Sequence, residues 1–330
     1  MKAALLRQLK SPLVLEQLPD PSPGPGEAVV ELHAAAINRR DYWITQGMYP
    51  GIRLPVVLGS DGAGVVTRCG PDVDPTWLGR EVVINPGFDW GDEPTHQSDR
   101  FTILGMPRDG TFAEAVAVPA SQLHSKPEHL DWPLAAALPL GGVTAYRALF
   151  TQGRIRAGER VLVTGIGGGV ATFALQFALA AGADVWVTSS SQAKRDGAVE
   201  RGAAGAFDYR QTDWLRTAQE TAGAFDLIID SAGGKGYGSL VELAAPGGRI
   251  VNYGATAGPP ETVDLFKVFW KQLRLQGTTM GSPDDFAAML EFTCRHRIEP
   301  IVDTVHPLDD INEALEAMRK SRQFGKLVLA

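Results

Sequence analysis

Cysteine is scarce: the 330 residues hold only Cys69 and Cys294, far apart in the chain. A lone pair builds neither a multi-disulfide framework nor a four-thiolate metal site, so both are read as small buried hydrophobes. Long apolar runs are missing as well. No stretch approaches the roughly 18 apolar residues of a membrane span, and Met1 to Arg7 is too short in apolar length for a signal peptide. A cytoplasmic protein with no membrane partner is expected. Excess basic charge is also absent, with 31 Lys and Arg against 38 Asp and Glu and a net charge of −7. That balance lacks the footprint that neutralising nucleic-acid phosphates requires, which excludes DNA and RNA as expected partners. What remains is an ordinary soluble composition, 44% hydrophobic and 21% charged, in a chain long enough for two domains with separate cores.

The first third reads as short β segments broken by glycine and proline: Lys2 to Leu6, Ala28 to Ala36, Gly62 to Arg68 and Glu81 to Asn85. This pattern suits a compact, partly barrel-like β domain. The run Pro19-Asp20-Pro21-Ser22-Pro23-Gly24-Pro25-Gly26 is a stiff connector, since proline denies donors to a β ladder. Near residue 124 the rhythm changes. Apolar β runs at Arg160 to Thr164, Asp184 to Thr188, Phe225 to Asp230, Arg249 to Tyr253 and Leu273 to Gly277 alternate with helix-like stretches at Val170 to Ala181, Gln192 to Gly202 and Gly238 to Leu243. Strand and helix alternating at this spacing predict an α/β fold with a doubly wound parallel sheet. Two amphipathic helices, Asp284 to Arg295 and Leu308 to Lys320, and a strand, Lys326 to Ala330, are predicted at the end.

The strongest local signal is Val161-Leu162-Val163-Thr164-Gly165-Ile166-Gly167-Gly168-Gly169-Val170-Ala171, a hydrophobic strand entering a glycine turn and then an apolar helix. Glycines allow a tight turn and let backbone N–H groups approach a pyrophosphate, whose charge suits the positive end of the next helix. Glu159 to Thr188 forms a βαβ unit of about the expected 30 residues, so dinucleotide binding is predicted. Sites preferring NAD place Asp or Glu about 20 residues beyond the first glycine, to accept from the ribose 2′-hydroxyl. Here stand Thr188-Ser189-Ser190-Ser191-Gln192-Ala193-Lys194-Arg195. Hydroxyls and two cations with no carboxylate suit a 2′-phosphate, and the expected cofactor is NADPH.

Further blocks accompany this turn: Asn38-Arg39-Arg40-Asp41, Gly47-Met48-Tyr49-Pro50, Leu58-Gly59-Ser60-Asp61-Gly62-Ala63-Gly64-Val65, Gly110-Thr111-Phe112-Ala113-Glu114, Leu140-Gly141-Gly142-Val143-Thr144-Ala145 and Phe324-Gly325-Lys326. Together they resemble the medium-chain dehydrogenase/reductase superfamily over nearly the whole chain, most closely its zinc-independent quinone oxidoreductase and zeta-crystallin-like branch. The resemblance implies a GroES-like catalytic domain over 1–123, completed by 282–330, and a Rossmann domain over 124–281, with the active site in the cleft between them. It implies cofactor contacts at Thr144, at Gly165, Gly167, Gly168, Gly169 and Val170, at Ser189, Ser190, Lys194 and Tyr209, at Tyr253 and Gly254, and at Lys326. The aromatic segment Asp264 to Trp270 precedes the last sheet strand, an edge that pairs with its twofold mate in relatives, so a homodimer is expected.

Departures from the zinc enzymes of that superfamily direct the chemistry. Their metal-binding Cys corresponds to Asn38 here, and their His-Glu pair to Ser60-Asp61. Asn and Ser are poor substitutes for the sulfur and nitrogen donors of a tetrahedral zinc site, and the lobe from Gly87 to Gly105 has no cysteine for a structural zinc. No metal is expected. Without a Lewis acid to hold an alkoxide, the better substrate is a quinone or α,β-unsaturated carbonyl, whose reduced oxyanion needs only hydrogen-bond donors. The residues expected to line that pocket are Asn38, Asp41, Trp43, Tyr49 and Ser60. The alternatives are an alcohol dehydrogenase acting on alcohols or aldehydes, and an NADPH-binding sensor with weak turnover.

Overall fold

Ala28, Val29 and Val30 at one end of the strand Glu27–Ala36, and Ala34, Ala35 and Ala36 at the other, are all buried, which marks a strand covered on both faces. The computed structural model describes residues 1–330 and places this strand at the centre of the first of two compact units, Met1–Gly141 with Gly281–Ala330. Asp61–Cys69 pairs with it along one side, and Ala115–Pro119 and Lys326–Leu329 take successive stretches of the other, all antiparallel. Glu81–Ile84 and Leu123–Ser125 extend the sheet beyond Asp61–Cys69, and Val302–His306 extends it beyond Lys326–Leu329. A smaller sheet joins Val14–Gln17, Lys2–Leu6 and Val56–Val57. Leu6, Ile37, Ile44, Leu58, Phe112, Ile311 and Leu329 share one core cluster, so the last residues of the chain complete the core begun by the first.

Register decides what meets at the end of the central strand. Ala36 lies opposite both Asp61 and Val328, so Asn38, Asp61 and Lys326, distant in sequence, emerge together. The turn around Gly59 is pressed from one side: a Cβ on Gly110 would lie 2.0 Å from the Gly59 carbonyl oxygen, a space that only glycine leaves.

The second unit, Gly142–Met280, holds six parallel strands in the order Gly205–Phe207, Asp184–Thr188, Arg160–Val163, Phe225–Asp230, Ala244–Asn252, Arg274–Gly277. Strand order reverses between Arg160–Val163 and Phe225–Asp230, the switch point at which doubly wound sheets open a crevice beyond their carboxyl ends. Val161, Leu162, Val163, Leu227, Ile228 and Ile229 are fully buried, as strands covered on both faces require. The helices Gly169–Ala180, Gln192–Glu200, Trp214–Thr221 and Tyr237–Leu243 supply the crossovers. At the sheet's edge Arg274–Gly277 is exposed, and before it the helix Leu265–Trp270 exposes Leu265, Phe266, Phe269 and Trp270. No helix is long and apolar enough to cross a membrane.

Two expectations need correction, and one element adds to what was expected. Residues 124–141, expected with the nucleotide-binding domain, pack in the first unit. Leu123–Ser125 pairs with Glu81–Ile84, and the helix Trp132–Ala137 lays buried Ala135, Ala136 and Ala137 close to the main sheet. The β-rich first third also contains a helix, Arg39–Thr45, whose Asp41 carboxylate accepts from the Asn38 N–H at 2.8 Å and satisfies a donor at the helix start. Of the two cysteines expected buried, Cys69 is only partly buried and Cys294 is exposed on the helix Pro283–His296.

Candidate functional site

In the first unit the site is a closed network of polar side chains. The Lys326 ammonium donates to Asn38 Oδ1 and to Asp61 Oδ2, each at 2.7 Å, and Asn38 Nδ2 donates to the same Asp61 oxygen at 2.9 Å. The other Asp61 oxygen accepts from the Leu140 N–H at 2.8 Å. Asp61 is fully buried and Lys326 is 3% exposed, so this is an ion pair removed from water whose carboxylate is supported by neutral donors. Both ends of the Asn38 amide are occupied within it.

Arg40 forms the second half. Its Nη1 donates to Ser60 Oγ at 2.6 Å and to the Leu104 carbonyl at 2.8 Å, and the Ser60 hydroxyl donates to that carbonyl at 2.8 Å. Nε approaches the Tyr49 hydroxyl at 3.4 Å, and the guanidinium lies over the Tyr49 ring, 5.0 Å from its centroid. Buried Asp41 stands 3.8 Å from Arg40 Nη1. Burial pushes its carboxyl up to about 6, against the opposing pull of the Arg40 charge and the Asn38 N–H.

The residues expected to line a substrate pocket therefore divide. Asn38, Asp41 and Ser60 are brought together and buried: Asn38 and Ser60 are bonded within the network, while Asp41 accepts from the Asn38 N–H and leaves Oδ1 without a hydrogen bond. Trp43 and Tyr49 are only partly buried, with Trp43 tilted against Tyr42 at a ring separation of 5.3 Å. Lys326, expected among the cofactor contacts, belongs to the first unit and is held by Asn38 and Asp61. Sequence reasoning missed Arg40 and Asp61. The available signal for Arg40 was its spacing: it stands four residues before buried Ile44, on the inward face of the helix.

This donor set does not fit zinc. Ser60 Oγ and Asn38 Oδ1 already accept from cationic donors, and two positive side chains, Arg40 and Lys326, stand where a divalent ion would need anionic or imidazole ligands. No group of three or more His, Cys, Asp or Glu is arranged to hold a metal anywhere in the structure.

In the second unit the glycine turn fits a dinucleotide pyrophosphate. Gly165 and Gly167 have φ of +64° and +118°, and a Cβ on Gly167 would lie 2.6 Å from Lys194 Cδ, so the Lys194 side chain runs over the turn. The Gly165 and Ile166 N–H groups bond Thr188, tying the turn to the neighbouring strand. Gly168 caps the helix Gly169–Ala180, which holds Val170 in its first turn, and as glycine it brings no side chain to the N-terminal donors.

At the end of Asp184–Thr188, Ser189 Oγ accepts from the Ser191 N–H, and Ser191 Oγ caps the next helix through the Lys194 N–H. Arg195, one of the two cations expected at a 2′-phosphate, turns instead to the Ser189 carbonyl at 2.6 Å and to Asp208 at 3.2 Å. Arg210, which sequence reasoning did not single out, bonds the Ser190 carbonyl and Asp208. The Arg210 bonds, followed by the Arg195 charge, hold the Asp208 carboxyl below the ordinary range. Tyr209 is half-exposed beside them.

Buried Asp230 ends the strand Phe225–Asp230 and accepts from Thr164 Oγ1 at 2.6 Å, Asn252 Nδ2 at 2.8 Å and the Gly233 N–H at 2.9 Å. Three segments at the carboxyl ends of the strands are tied to one carboxylate, including those that carry Gly165 and Tyr253-Gly254. Tyr253 lies against Ser231, and burial pushes its phenol up. Thr144 is buried on the helix Pro139–Tyr146.

Residues 24–128 match the model of the alcohol dehydrogenase GroES-like domain, and residues 169–295 that of a zinc-binding dehydrogenase. A zinc-type alcohol dehydrogenase-like protein YogA from Leptosphaeria maculans is 37% identical over 342 residues, covering 98% of this chain and 95% of that protein. Among solved structures, an NAD-dependent alcohol dehydrogenase superposes with a TM-score of 0.94 at 37% identity, over 100% of this chain and 99% of that one. A thermostable alcohol dehydrogenase from Pyrobaculum aerophilum with bound cobalt and zinc superposes with a TM-score of 0.89 at 29% identity, over 100% and 99%.

Proposed function

Because this chain belongs to the medium-chain dehydrogenase/reductase superfamily, as an oxidoreductase built from a GroES-like and a Rossmann-like unit, we propose that it reduces quinones or α,β-unsaturated carbonyls with NADPH and without zinc. The observation that carries this reading is the cation-filled network at Asn38, Ser60 and Asp61. Positive charge comes from Lys326 and Arg40, neither of which can bind an alcohol oxygen as a Lewis acid. A substrate that becomes an oxyanion only after accepting hydride needs a hydrogen-bond donor, not a metal. Bound NADPH supplies that hydride from its nicotinamide. Tyr49 is the donor to the developing oxyanion, since it joins a partly buried phenol to the Arg40 charge, and Trp43 offers a flat wall to a conjugated acceptor.

The NADPH preference rests on the strand end at Thr188 to Ser191, where no carboxylate stands and the nearby Asp208 is held between Arg195 and Arg210. Ser189, Ser190, Lys194 and Tyr209 are assigned to the 2′-phosphate. Thr144, the glycine turn, Tyr253 and Gly254 are assigned to the rest of the coenzyme. The superposed NAD-dependent relative makes coenzyme choice the point to test. Oxidation of NADPH and NADH is compared with p-benzoquinone and methyl vinyl ketone as acceptors. A kcat/KM for NADPH at least about tenfold above that for NADH, the ratio that 1.4 kcal/mol of phosphate binding provides, is expected. Substitution S190D, which adds a carboxylate, reverses it. Turnover dependent on a stoichiometric metal, or confined to simple alcohols, refutes the reading.

The exposed aromatic helix Leu265–Trp270 and the free edge Arg274–Gly277 are assigned to a homodimer in which two copies pair their edges.

A further inference from the structure

Arg40 is more than nine-tenths buried, and it is a permanent cation with an unused donor. Nη1 is saturated by Ser60 and Leu104, but Nη2 is buried with no hydrogen-bond partner. A buried, unpaired guanidinium donor costs stability and needs an account. Asp41 is a partial counter-ion at 3.8 Å, and its nearer oxygen is also without a hydrogen bond. The charge is therefore incompletely neutralised by its neighbours, and Nε is the donor that faces Tyr49.

We propose that Arg40 is a positioning residue for the reduction, acting through Tyr49. Its Nε donates into the phenol oxygen at 3.4 Å with the guanidinium over the ring, so the phenol's own proton is the one left to give. The acceptor class that matches is a conjugated carbonyl whose oxygen gains charge, and this rests on the reductase reading above. The step balances. With NADPH bound, its nicotinamide would supply the hydride for the new C–H bond at the conjugated carbon and would be left as NADP⁺. The π pair moves to the carbonyl oxygen, which takes the Tyr49 proton. The phenolate is compensated by Arg40 and regains a proton from water, while Arg40 stays protonated throughout. A charge in a dry site acts more strongly on a nearby oxyanion than it would in water.

The test uses the full chain saturated with NADP⁺ or NADPH, with 4-nitrophenol as a stable mimic of the oxyanion. Binding of 4-nitrophenolate is read from its visible band, and turnover with methyl vinyl ketone. R40M and Y49F are each expected to lower kcat about 10²-fold, as loss of a general acid does, while NADPH affinity stays unchanged. The double variant loses no more than either single one, because both changes break one device. Nitrophenolate binding weakens about tenfold in both single variants, the effect of losing one charge-assisted bond. R40K keeps the charge without the fork and falls between R40M and the parent, which also covers failure of R40M to fold. Parent-like nitrophenolate binding in R40M or R40K, or losses from R40M and Y49F that multiply, overturns the proposal. If the parent binds nitrophenolate in an Arg40-dependent way but reduces no enone, the role of Arg40 stands and the reductase reading falls.

Discussion

Replacing Lys326 by Met tests whether the buried ion pair holds the amino-terminal and carboxy-terminal parts of the first unit together. The change removes the ammonium from Asp61 Oδ2 and Asn38 Oδ1. Asp61 keeps its bonds from the Leu140 N–H and Asn38 Nδ2, but it becomes a fully buried carboxylate without its countercharge. Breaking one side of such a pair costs about 3–5 kcal/mol, most of it from the charge left behind. At about 2–4 °C per kcal/mol for a unit of this size, K326M should melt roughly 6–20 °C lower. The double variant D61N/K326M removes both charges. The Asn38 amide can then turn over to accept from the amide that D61N introduces, so the double variant should be more stable than K326M alone. Urea unfolding followed by far-UV circular dichroism measures both, and the double-mutant cycle gives the coupling. If K326M lies within about 1 kcal/mol of the parent, or the two single costs simply add, the pair is not the desolvated device described here.

Three more expectations follow from the same geometry. Asp41, raised to about 6 by burial, binds its proton more tightly folded than unfolded, so stability present below about pH 4 is lost as pH climbs through 6. The loss is on the order of 2–3 kcal/mol, and D41N, which carries no proton to lose, should flatten that part of the pH profile of the urea midpoint. G167A places a Cβ at a φ of +118° and against the Lys194 side chain. It should weaken NADPH binding about tenfold or more, in fluorescence titration, while circular dichroism stays unchanged. F266E/W270E puts two charges on the exposed aromatic helix, and light scattering should report the parent at twice the chain mass and the variant as a monomer.

Much of the second unit was legible in one dimension. Its strands are continuous apolar runs, and the chemistry of its turn is local: Gly165, Gly167 and Gly168 act through backbone shape and need no distant partner. Asn38 and Ser60 were identifiable by contrast with zinc ligands, because a missing thiolate and imidazole are visible letter by letter. The roles of Asn38, Asp41 and Ser60 were not. An amide or hydroxyl reads as a substrate contact until its partners are known, and here the partners are Lys326, Asp61 and Arg40.

By itself, then, the sequence determined the α/β rhythm, the dinucleotide turn and the absence of zinc-binding side chains, since all three depend on residue type and short-range spacing. Only tertiary structure decided that two buried cations stand at that position. The pairing of Lys326–Leu329 with Glu27–Ala36 brings Lys326 across to Asn38 and Asp61, 288 and 265 residues away in the chain. The charge of a lysine or arginine is written in its letter. Whether that charge is solvated on the surface or desolvated against a carboxylate depends on strand register, which no local pattern contains.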